Sequence, residues 1–359
     1  MKHEIIDVPG YEKVFKIENA SAGLTALIAL HDLTLGPALG GIRIRPYANI
    51  DEALQDVLRL SQGMTYKAAI AQVGFGGGKS VICADPKTQK TPELLHAFGK
   101  AVEELLGKYI CAEDVGCTTA DVSQIRKITR YVVGLPHSKS SGDPGPFTAR
   151  GIYRSMQATA QKLYGSDSLA GLTIAIQGLG NVGQNLARYL FWAGANMVVS
   201  DIDSDRVQAM VDAYRVRVAT PEEILFTECD FLAPCAFGGI LNDQTIPRLR
   251  CRAVVGGANN QLLKDPHADV LRHRGILYAP DFVVNGGGLI NVAAELEPNG
   301  YSPTASRDKI NCIYDSLLAI YKIAEENDES TNTAAVSLAN HRVKNGIGKR
   351  ISPPIFRHS

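Results

Sequence analysis

The chain has 359 residues, 45% hydrophobic and 21% charged: too long for one ordinary core and too apolar for a solvated, disordered chain. Lys plus Arg number 37 and Asp plus Glu number 37, so a formal net charge of zero argues against nucleic acid or an anionic membrane surface as partner. The seven cysteines form no C-x-x-C unit, so neither a metal site nor a disulfide framework is expected.

Met1-Lys2-His3-Glu4 lacks the apolar stretch of a signal peptide, and no apolar run reaches the length of a bilayer span. The expectation is a cytoplasmic protein with a small ligand held in a cleft. Leu24 to Leu30 reads as a short strand. Asp51 opens a helix, with Asp or Asn before Glu52-Ala53-Leu54 as its cap, and Leu54, Val57, Leu58 and Ser61 fall on one face. Thr91-Pro92-Glu93-Leu94 starts a second helix, running to about Leu106 and stopping at Gly107. From Ser138 to Thr148, Pro144 and Pro146 remove donors and glycine adds freedom, so the stretch reads as a linker, with a helix from Ala149 to Tyr164 after it. Then come a strand (Leu172 to Gln177), a helix (Asn181 to Ala193) and a strand (Ala195 to Ser200). Short strands follow at Val216–Val218, Phe231–Ala233, Ala253–Val255 and Ile276–Ala279, and mostly helix from Arg307 to Lys349. This β-α-β alternation predicts a doubly wound parallel sheet.

Gly178-Leu179-Gly180-Asn181-Val182-Gly183 matches G-x-G-x-x-G between a strand and a helix, which is the context a dinucleotide site requires. Gly178 permits the tight turn, Gly180 lets the backbone approach a pyrophosphate, and Gly183 lets the helix pack on the strand. Asn181 and Val182 open the helix, whose free N–H groups face the negative charge. Asp201, ending the next strand, stands where an acid accepts from the adenosine ribose and repels a 2′-phosphate, so NAD is expected rather than NADP.

Two lysines lie near glycines. Lys79 follows Gly74-Phe75-Gly76-Gly77-Gly78 and resembles a P-loop lysine, but position 73 is Val and Gly74 is one residue too close, so the spacing of a phosphate loop fails. The alternative is that the glycines let Lys79 approach a neighbouring backbone and a substrate, as a general base whose proton is loosened in a closed cleft. Lys67 follows Gly63-Met64-Thr65-Tyr66, and Asp114 sits at a strand end before Gly116. Thr118 and Asp121 compete for the next helix cap, which leaves Asp114 available for chemistry, although a turn aspartate is common.

These segments together resemble the glutamate/leucine/phenylalanine/valine dehydrogenase family over nearly the whole chain. The blocks that carry the resemblance are Leu35 to Gly41, Gly63 to Lys67, Gly76 to Lys79, Ala112 to Gly116, Gln177 to Gly183, Ala233 to Ala236, Gly257 to Leu262 and Asn285 to Val292. By pattern the chain is most similar to leucine dehydrogenases, with aromatic amino-acid dehydrogenases close behind. The resemblance implies an α/β fold of two domains. An N-terminal substrate-binding and oligomerisation domain would cover residues 1–137, joined by a C-terminal helix at about 325–350, and an NAD-binding Rossmann domain would cover 138–324.

It also implies roles. Lys67 would hold the substrate α-carboxylate, Lys79 would activate the water that attacks an iminium, and Asp114 would exchange protons with the amino group. Thr148 would bind the nicotinamide carboxamide, while Ala236, Ala258 and Asn259 would line the cofactor cleft. Gly41 and Asn285 would lie near substrate, and hydride would pass from the substrate Cα to the nicotinamide. No metal is implied. Such chemistry needs a fixed cation, a base and controlled water, and a hinged cleft at the Ser138–Thr148 linker fits it.

The residues implied for the side-chain pocket, Leu39, Ala112, Leu289 and Val292, are apolar, which disfavours glutamate. Leu39 and Ala112 lean to branched-chain substrates. Leu289, where leucine-type chains carry Val, and Phe237 to Leu241 lean to phenylalanine or tryptophan. The expected reaction is NAD-dependent reversible oxidative deamination of an apolar L-amino acid by a homo-oligomer. Two readings compete with it, a non-catalytic NAD-binding sensor and a P-loop phosphotransferase.

Overall fold

The computed structural model describes residues 1–135 and 140–357; Ser138 and Lys139 of the expected linker lie outside the described residues. The chain divides into two compact units, one of Met1–Gly142, Val292–Pro303 and Ala339–Ser359, the other of Asp143–Asn291 and Thr304–Leu338. The first unit thus draws in residues 292–303, and its C-terminal contribution begins at 339 rather than about 325. Among the described residues no helix is long and apolar enough to cross a membrane.

In the first unit β1 (Lys2–Ile6), β2 (Lys13–Asn19), β3 (Leu24–Asp32), β4 (Ala38–Arg45), β5 (Gly76–Cys83) and β6 (Tyr109–Glu113) form a sheet in the order β1-β2-β3-β5-β4-β6. β1, β2, β3 and β5 pair antiparallel, whereas β5, β4 and β6 run parallel. Helices α1 (Ile50–Ala71), α2 (Pro92–Glu103) and α3 (Thr119–Arg126) cover its two faces. Ile42, Ile44, Tyr109 and Cys111 pack with Leu94 and Phe98 of α2 and Val122 and Ile125 of α3. On the opposite face Leu27, Ala29 and Val81 pack with Ala53 and Val57 of α1.

The cap of α1 is Asn49, whose side chain accepts from the Glu52 N–H at 2.9 Å; Asp51 and Glu52 instead place negative charge in the first turn, where the helix dipole favours it. Its buried stripe of Ala53, Val57, Ser61, Thr65 and Ala68 is built of small residues. That lets the helix press onto β5: a Cβ on Gly77 would lie 2.1 Å from Thr65 Oγ1 and 2.5 Å from the Ser61 carbonyl. At the far end Arg342 donates to the Ile70 carbonyl at 2.6 Å, placing a cation on the C-terminal carbonyls, and the Arg350 N–H donates to the Leu35 carbonyl at 2.8 Å.

The second unit contains α4 (Gly145–Tyr164), β7 (Thr173–Gln177), α5 (Asn181–Trp192), β8 (Asn196–Ser200), α6 (Ser204–Tyr214), β9 (Arg217–Val218), β10 (Cys229–Pro234), β11 (Cys251–Val254), α7 (His267–His273), β12 (Leu277–Tyr278) and α8 (Asp281–Val284). After these come α9 (Gly287–Ala293), α10 (Pro303–Asn311), α11 (Ile313–Glu326) and α12 (Thr331–Lys344), whose ends cross the unit boundaries at several points. The sheet is parallel throughout and runs β12-β11-β10-β7-β8-β9. Counted from β7 this is the order 6-5-4-1-2-3, the doubly wound dinucleotide-binding topology, with its switch point between β7 and β10.

α4 starts four residues before the expected Ala149. Pro146 falls in its first turn, where no N–H is needed, and the Thr148 N–H already donates to the Pro144 carbonyl at 2.9 Å. The prolines therefore begin the helix rather than prevent it.

Candidate active site

In a strand, alternate residues share a face. Leu39, Gly41 and Arg43 of β4 lie on one face, and register places Leu39 beside Gly77 of β5 and Gly41 beside Ala112 of β6. Lys79 continues that face on β5 and Asp114 continues it just past β6. The structure therefore brings Leu39, Gly41, Lys79, Ala112 and Asp114 to one patch, on the side of the sheet that α1 covers over β3 and β5. Leu39 is fully buried there, and Ala112 is half-buried.

At the centre, Lys79 Nζ stands 3.0 Å from Asp114 Oδ2, with side chains only 7% and 18% exposed. Gly41 makes room: a Cβ on it would lie 2.7 Å from Asp114 Cβ, 2.9 Å from the Glu113 carbonyl oxygen and 3.0 Å from Lys79 Nζ. Arg43, absent from the sequence reading of the site, donates from Nε to the same Asp114 oxygen at 3.2 Å and from Nη1 to both oxygens of Asp56 on α1, each at 3.2 Å. Tyr47 donates to Asp56 Oδ2 at 2.7 Å. Burial alone would raise Asp114, but Lys79 and Arg43 outweigh it and hold the carboxyl below the usual carboxylate range. Arg43 could have been found from strand period alone, since it is the residue two beyond Gly41.

Lys67 is half-buried on the same stripe of α1 as Asp56, about three turns further along the helix. The glycines before Lys79 lie in a buried strand, Gly76–Cys83, and no helix follows them directly. A phosphate loop needs a turn into a helix N-terminus, so the phosphotransferase reading fails on geometry as well as on spacing. Among the described residues no group of three or more His, Cys, Asp or Glu could hold a metal ion.

The second unit holds the dinucleotide loop. Gly178 has φ +95°, and a Cβ there would lie 2.8 Å from Ala236 Cβ, so the turns after β7 and β10 touch at the switch point. A Cβ on Gly183 would strike the Gly178 carbonyl at 2.0 Å, which is how α5 packs onto the loop. Gly180, by contrast, faces open space, with Arg206 Nη1 the nearest atom at 3.9 Å from its ideal Cβ. A cavity of about 340 Å³ opens here, lined by Gly178, Gly180, Asp201, Arg206 and Ala236 among others. Asp201 accepts from the Leu179 N–H at 2.5 Å and from the Asp203 N–H at 2.9 Å, so it also braces the glycine loop. Asn181, which opens α5, donates to both oxygens of Asp143 at 2.6 and 2.7 Å, and Val182 behind it is half-buried.

These features fit a dinucleotide. An open glycine sits at a helix N-terminus, a carboxylate ends the second strand, and the Gln177 Oε1 and Ser200 Oγ atoms nearby are buried without a partner among the described residues. Further along, the unit brings Asn259 and Asn285 together: Asn285 Nδ2 donates to Asn259 Oδ1 at 2.8 Å and to the Gly257 carbonyl at 3.3 Å. That leaves the buried Asn285 Oδ1 without a described partner. The Ala258 N–H is used by the Pro234 carbonyl at 2.9 Å. Thr148 Oγ1 donates to the Pro144 carbonyl at 3.0 Å and lies 2.8 Å from an ideal Cβ on Gly288, so only glycine fits opposite it. Leu289 and Val292 are half-buried on α9.

Comparison with known proteins bears on these two sets of groups. The profile of the Glu/Leu/Phe/Val dehydrogenase dimerisation domain matches residues 12–131, and that of Glutamate/Leucine/Phenylalanine/Valine dehydrogenase matches 142–207 and 202–349. Leucine dehydrogenase of Geobacillus stearothermophilus is 46% identical over 335 residues, 93% of this chain and 91% of that protein. L-tryptophan dehydrogenase of Nostoc punctiforme is 44% identical over 343 residues, covering 95% and 96%. The crystal structure of L-tryptophan dehydrogenase from Nostoc punctiforme superposes with a TM-score of 0.84 at 43% identity, covering 94% of this chain and 96% of that one.

Proposed function

As a member of the glutamate/leucine/phenylalanine/valine dehydrogenase family, and so an amino-acid dehydrogenase, this chain acts, we propose, by NAD-dependent reversible oxidative deamination of an apolar L-amino acid, branched-chain residues foremost, to the 2-keto acid and ammonia. The observation that carries the reading is the buried contact of Lys79 Nζ with Asp114 Oδ2 at 3.0 Å beside Gly41. An ammonium and a carboxylate in contact can pass a proton between them, and iminium hydrolysis needs that relay.

Bound nicotinamide supplies the acceptor for the hydride on the substrate Cα. Lys67 fixes the substrate α-carboxylate. Asp114 takes a proton from the substrate ammonium before oxidation and returns one to the leaving nitrogen. Lys79, acting as the neutral amine after its own proton has left to solvent, receives the proton of the water that adds to the iminium carbon. Thr148, Asn259 and Asn285 orient the ring and its substrate; Gly178 and Gly180 bring the backbone up to the pyrophosphate, with Gly183 letting α5 pack behind them; Asp201 accepts from the ribose. Leu39 and Ala112 on the patch of the pair are apolar, and a buried γ-carboxylate there would need a further cation. The chain works as a homo-oligomer built on its N-terminal unit.

Lys79→Ala should reduce turnover by about 10²–10⁴-fold, the range for a lost general acid or base, while NAD binding persists. A panel of leucine, valine, isoleucine, phenylalanine and tryptophan with NAD and NADP, followed by reduced-nicotinamide absorbance, tests the substrate and cofactor together. Turnover near the parent rate in Lys79→Ala, or no amino-acid-dependent reduction across the panel, rejects the proposal.

A further inference from the structure

Resting on the deamination reading, we propose that Arg43 is the positioning residue for Asp114: with Lys79 it occupies Oδ2, leaving Oδ1 for the substrate amino group, and Asp56 governs how firmly Arg43 does so. Both contacts of Asp114 land on one oxygen, Lys79 Nζ at 3.0 Å and Arg43 Nε at 3.2 Å. A carboxylate held by one oxygen presents the other in a fixed direction. The planar fork of Arg43 suits this, because its Nη1 spans both oxygens of Asp56 while Nε holds Asp114. Lysine in its place could supply the charge but not both contacts.

The groups facing this cluster come from several elements. β5 contributes Lys79, β4 contributes Arg43 and also Arg45, whose Nε lies 3.9 Å from Asp56 Oδ2, α1 contributes Asp56, and the segment before α1 contributes Tyr47, whose hydroxyl donates to Asp56. Tyr109 of β6 and Cys117 of the following turn also lie in the field of Asp114, both as neutral groups at ordinary pH because burial pushes them well up. Asp56 competes for Arg43. Removing Arg43 therefore drives the carboxyl of Asp114 up, whereas removing Asp56 alone frees Arg43 for Asp114 and drives that carboxyl further down.

The test compares the parent with Arg43→Gln, Arg43→Lys and Asp56→Asn, using the full-length protein. The first readout is the pH profile of kcat/KM for the preferred amino acid. In Arg43→Gln the acid limb should rise by about one pH unit or more, as for loss of an opposite charge within contact distance. Asp56→Asn should leave it at or below the parent position, and Arg43→Lys should keep it near the parent position with lower kcat. NAD affinity, read by fluorescence titration, should be unchanged in all three. An even loss of activity at every pH, with the limb unmoved, would mean that Arg43 is merely structural and would overturn the proposal.

The second readout needs no turnover. In the parent, Asp114 is held low, so its contribution to stability is present above the unfolded carboxyl value and is lost as pH falls through the folded one. The melting-temperature deficit of Arg43→Gln should therefore be largest near neutrality and shrink as pH falls below about 4. A deficit constant across that range overturns the inference. A parent without amino-acid-dependent NADH production would sink the deamination reading instead, and the melting comparison would still decide whether Arg43 governs Asp114.

Discussion

Replacing Gly41 with alanine adds one methyl group at the point where three structures converge. Its carbon would lie 2.7 Å from Asp114 Cβ, 2.9 Å from the Glu113 carbonyl oxygen and 3.0 Å from Lys79 Nζ. Comfortable separation is about 3.5–4.0 Å, so the surroundings must open by roughly 0.5–1 Å. The carbonyl belongs to β6 and cannot swing away alone, which leaves the Asp114 and Lys79 side chains to yield. Their 3.0 Å contact would then stretch beyond hydrogen-bonding range. Overpacking of this kind costs about 1–3 kcal/mol, and a displacement near 1 Å at reacting groups costs about 10²-fold in rate. At about 2–4 °C per kcal/mol, melting should fall by roughly 2–12 °C. Steady-state kcat/KM and differential scanning calorimetry measure the two effects. Gly63→Ala is the control: it lies inside α1 with nothing within 4 Å of its ideal Cβ, so alanine there should stabilise the protein by about 0.5–1 kcal/mol. Parental kcat/KM and melting in Gly41→Ala would refute the picture of a pair wedged against that glycine.

Three other outcomes are expected. Asp201→Ser removes the carboxylate that would repel a 2′-phosphate, so the NADP-to-NAD ratio of kcat/KM should rise by tenfold or so; an unchanged ratio would mean Asp201 only braces the Leu179 and Asp203 amides. Because Asp114 is held below the usual carboxylate range, parent stability in urea should exceed that of Asp114→Asn most clearly near pH 7. The difference should close as pH falls below about 4, and a gap that widens on acidification would reverse the assigned sign. Among the cysteines, Cys312 is exposed, while burial pushes Cys235 up to about 11 and Cys117, Cys229 and Cys251 up to about 12. A chromogenic thiol reagent at pH 8 should therefore label Cys312 first, and Cys312→Ser should abolish the fast phase; persistence of that phase would place a reactive thiol elsewhere.

The glycine loop of the second unit was legible because its signal is local. Strand, glycines, helix and acid follow one another within about thirty residues, and each has a physical reason to stand where it does. The parallel order with its switch point then follows from β-α-β alternation. The patch around Lys79 and Asp114 is spread over β4, β5, β6 and α1, so those two residues drew attention through glycines and turn chemistry and through family resemblance. Arg43 was missed although strand period puts it on the face of Gly41: an arginine in a strand carries no chemical signature of its own, and the pairing of β4 with β6 reveals what it touches. The proline-rich stretch misled because proline breaks a helix interior but suits its first turn, and the letters alone do not say which position it holds. The cap of α1 moved from the region of Asp51 back to Asn49 for a similar reason, since several neighbouring polar residues could each have accepted from the first free amides.

The cation on the end of α1 has a consequence for biosynthesis. Arg342 and Arg350 reach back to Ile70 and Leu35, so the helix that carries Asp56 and Lys67 waits on residues made more than two hundred and fifty positions later. The second unit has all of its chain by Leu338, whereas the first still lacks Ala339 onward. On the ribosome, the half begun first is therefore the half closed last: its sheet and covering helices stand without these two arginine contacts while the second unit is made.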